Sequence, residues 1–292
     1  MLHDDREDFL KILERTSAQT GFPLRLLEKD YYLTIVLSKI NELSNDLVFK
    51  GGTCLSKLYY SYYRLSEDLD FTLKLPVEHA TRTVRRTAIK PIRKSLKHFL
   101  KNLGMSIENL DATGYNESTQ YIFHLDYPSA VIERTDSVKL EIGLRFNPLL
   151  LVVTKEIKHK FLHPFTKEPL FDAGCVNCLA LKELVAEKLR ATATRRTIAG
   201  RDFYDLDYLL KKGFDFLNKE LLSLFKKKLE EDNFDSDLKK YKVNLGRTEK
   251  EIEEMALRTT AELFPVLTIE EQKTFDIKKT LDKLNRVFEG IE

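Results

Sequence analysis

Cysteine is scarce in this sequence, with three residues in 292. So few cysteines exclude a disulfide-stapled scaffold and fit a reducing compartment. Cys175 and Cys178 have a Cys-Val-Asn-Cys spacing, but no second Cys or His pair stands at finger-like spacing and no thioredoxin-like pattern surrounds them. All three are therefore read as packing cysteines. His159 and His163 are separated like zinc ligands on a helix, yet they lie in a Lys-rich stretch broken by Pro164 and have no companion ligand, so surface histidines are expected.

Long apolar runs are missing as well. The longest plain run, Leu149 to Val153, is far short of the ~20 residues that a membrane-spanning helix requires. The N-terminal run His3-Asp4-Asp5-Arg6-Glu7-Asp8 has neither the basic start nor the apolar stretch of a secretory signal. The expected setting is soluble and cytoplasmic, with no membrane partner. Nor is there a surplus of one charge: 48 Lys+Arg against 46 Asp+Glu leave a formal net charge of +2. Attraction for nucleic acid would have to come from local patches. Internal repeats, low-complexity tracts and extended Gly/Ser linkers are also lacking.

What is present is a chain with 42% hydrophobic and 32% charged residues, long enough to bury a substantial core as one large domain or two modest ones. Residues 7–44 carry the apolar spacing of two helices separated at Gly21-Phe22-Pro23. Leu47-Val48-Phe49-Lys50 is strand-like and ends on Gly51-Gly52, after which Leu55, Leu58 and Tyr59 resume helical spacing. From 68 to 75 the sequence alternates, with Leu69, Phe71, Leu73 and Leu75 on one face and Asp68, Asp70, Thr72 and Lys74 on the other. A second alternation sets Val138, Leu140, Ile142 and Leu144 against Lys139, Glu141, Gly143 and Arg145. Residues 121–127 and 149–153 read as further strands. Beyond Pro164 strand signals fade, and 179–193, 202–211, 216–229, 247–263 and 269–289 read as helices, with Gly213, Gly246 and Pro265 as punctuation. The fold class expected is α+β: a mixed sheet flanked by helices over 1–170, followed by a helical bundle over 171–292.

Asp68 and Asp70 stand two apart in a strand, so both side chains leave one face about 6–7 Å apart at Cα and can converge on a hard cation such as Mg²⁺. Such ions organise phosphoryl transfer when a third carboxylate from a neighbouring strand completes the site, and Glu141 is the candidate. The bland alternative is a solvent-facing edge strand. Gly51-Gly52-Thr53 shifts the balance, because backbone N–H groups at a glycine turn entering a helix form a phosphate-binding nest and Thr53 adds a hydroxyl. A Walker A ending is absent. A haloacid-dehalogenase-like phosphatase reading of Asp68-Leu69-Asp70-Phe71-Thr72 fails because the residues before the pair are polar.

Further along, Leu181, Leu184, Val185 and Lys188 fall on one helical stripe, placing a lysine where an apolar residue is expected. Its partner could be a triphosphate, or Asp202 and Asp205, three apart on the next helix. The plainer reading lets Lys188 snorkel to solvent and makes Asp202 a helix-start charge. Arg82, Arg85, Arg86, Lys90, Arg93, Lys94, Lys97 and Lys101 form a basic segment with no intervening acid, readable as a nucleic-acid contact surface or as a solvated helix face. Pro91 would interrupt or begin that helix.

Lys50-Gly51-Gly52-Thr53, Leu55, Lys57 and Arg64-Leu65-Ser66-Glu67-Asp68-Leu69-Asp70-Phe71 together resemble motif I of the AbiEii/AbiGii toxin nucleotidyltransferases. The likeness extends to Leu27-Glu28-Lys29-Asp30-Tyr31-Tyr32, Glu187-Lys188-Leu189-Arg190-Ala191 and Arg201-Asp202-Phe203-Tyr204-Asp205-Leu206. The resemblance implies a polymerase-β-like nucleotidyltransferase fold in which Gly51, Gly52 and Thr53 meet nucleotide phosphates with Ser66 close by. It implies Mg²⁺ or Mn²⁺ at Asp68 and Asp70, and an active-site role for Lys188 and a following aspartate from the helical domain. It further implies an NTP substrate, an RNA acceptor such as tRNA, and a cognate antitoxin in a toxin–antitoxin or phage-defence pair. A catalytically silent RNA- or partner-binding module on the same fold is the alternative.

Overall fold

Residues 68–73 form an interior strand, and the rest of the sheet is explained by what that strand pairs with. The computed structural model of the chain describes residues 1–108, 110, 114–195, 199–241 and 248–291. Gly246 and the first residue of the helix expected over 247–263 lie outside them. The chain divides into two compact units, Met1–Leu179 and Ala180–Glu292.

In the first unit, β1 (Leu47–Lys50), β2 (Asp68–Leu73), β3 (Gly114–Tyr115), β4 (Gln120–Pro128), β5 (Thr135–Gly143), β6 (Val153–Glu156) and β7 (Cys175–Cys178) make one mixed sheet in the order β3-β4-β5-β2-β1-β7-β6. β2 runs antiparallel to β1, with Lys50 opposite Asp70, and parallel to β5, with Asp68 opposite Lys139 and Asp70 opposite Glu141. The edge-strand alternative is thereby removed. Leu69, Phe71, Leu73, Leu140 and Ile142 are buried, and the Phe49 and Phe71 rings lie 5.1 Å apart. Each such side chain contributes about 1.5–3 kcal/mol of apolar burial.

Helix α1 (Arg6–Thr20) ends at Gly21, whose φ of +76° and N–H bond to Ser17 O form a left-handed C-cap. Helix α2 (Leu24–Lys39) is buried along most of its length and packs on β2, β5 and β7. Helix α3 (Gly51–Cys54) continues into a wider π-helical turn over Leu55–Tyr59. Helix α4 (Arg82–Asn102) buries Ile89, Ile92, Leu96, Phe99 and Leu100. It continues past Pro91, neither beginning nor ending there; the missing N–H falls on an exposed stretch, where water can satisfy the freed carbonyl.

Several expectations are corrected. Leu149–Val153 is not a strand; pairing begins at Val153. Cys175-Val176-Asn177-Cys178 is itself a strand, β7, paired parallel to β1 and antiparallel to β6. Alternation turns its two cysteines to opposite faces, Cys178 buried and Cys175 exposed, so they cannot chelate together and Cys175 is not a packing residue. His159 is buried rather than superficial: it stacks on Phe171 at 4.1 Å and shares a 2.8 Å hydrogen bond with Phe171 O.

In the second unit, α5 (Leu181–Thr194), α6 (Gly200–Lys211), α7 (Lys219–Glu231), α8 (Glu249–Glu262), α9 (Ile269–Thr274) and α10 (Ile277–Phe288) follow one another without a strand among the described residues. The single helix expected over 269–289 is two, because Phe275 is extended and Asp276 caps α10 by accepting from Lys279 N at 3.1 Å. α5 and α7 are joined by a buried ammonium, Lys228, 2.9 Å from Glu183 and 3.2 Å from Glu231. No helix of the described residues is long and apolar enough to cross a membrane.

Candidate active site

The glycine turn and the paired aspartates are built as one piece. β1 ends at Lys50, and Gly51 turns the chain into α3 with φ +77°, a conformation that L side chains rarely adopt. A Cβ at Gly51 would collide with the Asp70 carboxylate, so the glycine is needed for close approach as well as for its φ. A Cβ at Gly52 would meet the guanidinium of Arg64. Arg64 is buried, and its carbonyl accepts from Ser56 Oγ at 2.6 Å, which ties the loop before β2 to the turn after β1. The Thr53 hydroxyl is buried and donates to Asp68 O at 2.5 Å. It therefore ties the glycine turn to the start of β2. Ser66 is partly exposed two residues before Asp68.

Across the strands, Lys50, Asp70 and Glu141 form one row, with Asp68 and Lys139 opposite each other in the next. Glu141 accepts from Gln120 Nε2 at 2.7 Å and lies 3.2 Å from Lys139 Nζ, which is also 3.9 Å from Asp68. Burial, then the negative charges of Glu141 and Asp68, push the Asp70 carboxyl up to about 6, against the opposing pull of Lys50 and Lys139. Burial alone would lower the Lys139 ammonium, but Asp68 and Glu141 outweigh it and hold it above its ordinary range.

Three hard oxygen donors with crowded negative charge suit a divalent cation chemically, and Asp68 and Asp70 would hold it. Among the described residues no group of three His, Cys, Asp or Glu stands in ready ligating geometry. Glu141 is engaged by Gln120 and Lys139 and would have to release at least one of them to join.

Behind this surface lies a buried ion pair that sequence reasoning left without a role. Lys57 Nζ is 2.8 Å from Asp30 Oδ1 and 2.8 Å from Thr34 Oγ1, and it contacts the Tyr62 hydroxyl. Burial lowers the Lys57 ammonium and Asp30 partly restores it; burial and Asp30 together push the Tyr62 phenol well above its usual range. Ser61 and Tyr62 both have left-handed φ, +51° and +68°, so the Lys57–Tyr62 contact holds a strained turn in the loop leading to Asp68. Glu28 is also buried, accepting from Ser129 Oγ at 2.5 Å and Ala130 N at 2.6 Å. The sequence signal was there, in a Lys inside a helical apolar run and two acids in the equally apolar α2. Arg64 and Lys50 were likewise legible only as members of a motif.

In the second unit, Lys188 bridges Asp202 at 2.6 Å and Asp205 at 2.7 Å, and Arg195 also reaches Asp202 at 2.6 Å. Lys188 thus has carboxylate partners and does not snorkel free. Asp205 is fully buried; Asp202 lies in the first turn of α6. Burial opposes the charge of Asp202, but Lys188 and Arg195 outweigh it and hold its carboxyl low.

On α4, Arg82, Arg86, Lys90, Lys94, Lys97 and Lys101 are exposed, follow one another at three- and four-residue intervals, and make no ion pair among the described residues. Arg85 and Arg93 are turned aside onto main-chain carbonyls, Arg85 donating to Glu117 O at 3.0 Å and Arg93 to Leu110 O at 2.9 Å. These two are held against the main chain, half-buried beside the exposed stripe.

Residues 35–284 match the family described as nucleotidyl transferase AbiEii toxin, type IV toxin–antitoxin system. Solved structures share the fold, MenT4 and JHP933 among them. MenT4, nucleotidyltransferase toxin Rv2826c from Mycobacterium tuberculosis H37Rv, superposes with a TM-score of 0.58 at 16% identity, over 94% of this chain and 98% of that one. JHP933 from Helicobacter pylori does so with a TM-score of 0.53 at 15% identity, over 92% of both. No functionally curated protein sequence gives a significant match.

Proposed function

Since this chain belongs to the AbiEii family of nucleotidyltransferase toxins, we propose that it transfers a nucleoside monophosphate from an NTP to an acceptor hydroxyl of RNA, tRNA in the first place, and releases pyrophosphate. The observation that carries the reading is the contact of Asp70 with the glycine turn: the carboxylate pair and the phosphate nest share one surface.

A bound Mg²⁺ or Mn²⁺ would neutralise developing charge on the transferred phosphoryl group and orient the attacking oxygen. The chain's own groups do the rest. Backbone N–H groups at Gly51 and Gly52 are assigned to phosphate oxygens, and Arg64 and Lys50 add fixed positive charge beside the turn. Asp68 and Asp70 present oxygens to the cation, with Glu141 as a third carboxylate on the neighbouring strand. Lys188, oriented by Asp202 and Asp205, is assigned to nucleotide phosphate binding. The stripe on α4 contacts the acceptor's phosphate backbone. Type IV toxin–antitoxin membership supports a cognate antitoxin protein as partner.

The test is transfer of label from each α-labelled NTP to purified tRNA and to protein, with Mg²⁺, comparing wild type with Asp68→Asn/Asp70→Asn. Label entering tRNA and lost by at least about a thousandfold in the variant is the expected result. Label entering only protein would overturn the RNA acceptor, and transfer surviving in the variant would remove the carboxylate pair from the reaction.

A further inference from the structure

Lys139 is the one cation that β5 places directly among the carboxylates. Its β-register partner is Asp68, and its ammonium lies 3.2 Å from Glu141 and 3.9 Å from Asp68. A lysine on a sheet face open to solvent could extend outward. This one, about one third exposed, lies instead across the boundary between β2 and β5. On the other flank, Lys50 is the register partner of Asp70. With all five groups ionised, three carboxylates face two ammonium groups, a single net negative charge before the Arg64 guanidinium beside the turn is counted. A divalent cation arriving alone would turn that sign positive, and Lys139 would be repelled at close range. A cation arriving with a triphosphate brings its own negative charge, so that Lys139 can swing from Asp68 and Glu141 towards a phosphate.

We propose that Lys139 is a displaceable internal countercharge: in the nucleotide-free protein its ammonium holds the position between Asp68 and Glu141 that a divalent cation takes when nucleotide binds. Metal and nucleotide then enter together, and metal alone binds weakly. Releasing Lys139 also frees Glu141 from one of the two contacts that keep it out of ligating geometry. The inference rests on the nucleotidyltransferase reading of Asp68 and Asp70, and adds to it a role for a residue outside that set.

The experiment is Mn²⁺ titration followed by electron paramagnetic resonance at pH 8, with and without a non-hydrolysable α,β-methylene NTP. Proteins compared are the wild type, Lys139→Met, Lys139→Gln, Lys139→Arg, and Lys139→Met combined with Asp68→Asn/Asp70→Asn, each checked for folding by circular dichroism. Lys139→Met and Lys139→Gln should bind Mn²⁺ alone about tenfold or more tightly than wild type, as expected for removing a unit charge a few ångströms away. The difference should shrink when the analogue is present, and Lys139→Arg should behave as wild type. Neutral variants that bind Mn²⁺ alone no more tightly than wild type overturn the countercharge, even if wild-type binding is lost in Asp68→Asn/Asp70→Asn. Tight binding that persists in the combined variant places the cation elsewhere, and overturns both the proposal and the functional reading beneath it.

Discussion

Asp70 shows how one residue can work against the fold for the sake of the site. Its folded-state carboxyl titrates at about 6 against an ordinary 3.8, so between those values the folded state binds the proton more tightly than the unfolded state. Stability from this group is greatest below the ordinary value and is lost as pH rises through about 6. Asp70→Asn should therefore stabilise the metal-free protein at pH 7–8 by of order 2 kcal/mol, with the gain fading between about pH 6 and pH 4; thermal melts across that range would show it. If Asp70 holds a divalent cation, proton and cation compete for it, so Mn²⁺ binding to the metal-free protein should weaken as pH falls through about 6, and saturating metal should move that loss to lower pH. Gly51→Ala meets both a left-handed φ and the Asp70 carboxylate. A loss of about 1–3 kcal/mol is expected, together with loss of Mn²⁺ and NTP binding. The buried Lys57–Asp30 pair is open to a double-mutant cycle. Lys57→Met alone strands a buried carboxylate and should cost about 3–5 kcal/mol in urea unfolding, whereas Lys57→Met/Asp30→Leu should recover most of it. Equal losses in single and double variants would argue that the pair does not act as a unit.

At the scale of elements, α4 separates two kinds of basic residue that look alike in the sequence. Arg85 and Arg93 bind main-chain carbonyls, while Lys90, Lys94 and Lys97 lie on the exposed stripe. Replacing those three lysines by glutamine should reduce the slope of log affinity for tRNA against log salt by about 2–3, leaving NTP affinity unchanged; filter binding at several ionic strengths measures it. An unchanged slope would return α4 to the status of a solvated face. The boundaries that sequence reasoning missed also belong to this scale. Phe275-Asp276 interrupts an otherwise continuous apolar period with a side-chain cap, which outranks periodicity where the next turn has its own cap available. β7 was invisible because a four-residue strand has too few alternations to register, and only its place between β1 and β6 makes Cys175–Cys178 extended.

For the molecule as a whole, what was legible was whatever repeats or carries unusual chemistry. The alternation in β2 and β5, the glycine turn and the Asp-x-Asp spacing sufficed for the α+β class and for the carboxylate candidates, since each is local in the chain. The partnerships were not legible. Nothing near Lys139 in the sequence says that it will sit opposite Asp68, and nothing near Lys57 says that Asp30 will neutralise it. Those facts follow from sheet order and helix packing, which are set by long-range burial. The same holds for Thr53, whose hydrogen bond to the Asp68 carbonyl joins two segments that no local pattern connects.

The order of strands has a consequence for how the molecule comes into being. The glycine turn and both aspartates are synthesised early, but β2 gains its second neighbour only with β5, and β1 gains its own only with β7. A nascent chain that stops before β5 carries every residue of the aspartate motif and yet has no Glu141 beside Asp70, and the strand bearing the motif has a bare edge. Pairing across so long an intervening segment is slow, and an unpaired apolar strand is a hazard for aggregation. A product of this toxin truncated before β5 is thus expected to burden the cell's folding machinery without poisoning its substrate, so the polypeptide becomes dangerous only once synthesis has passed the strands that flank the motif.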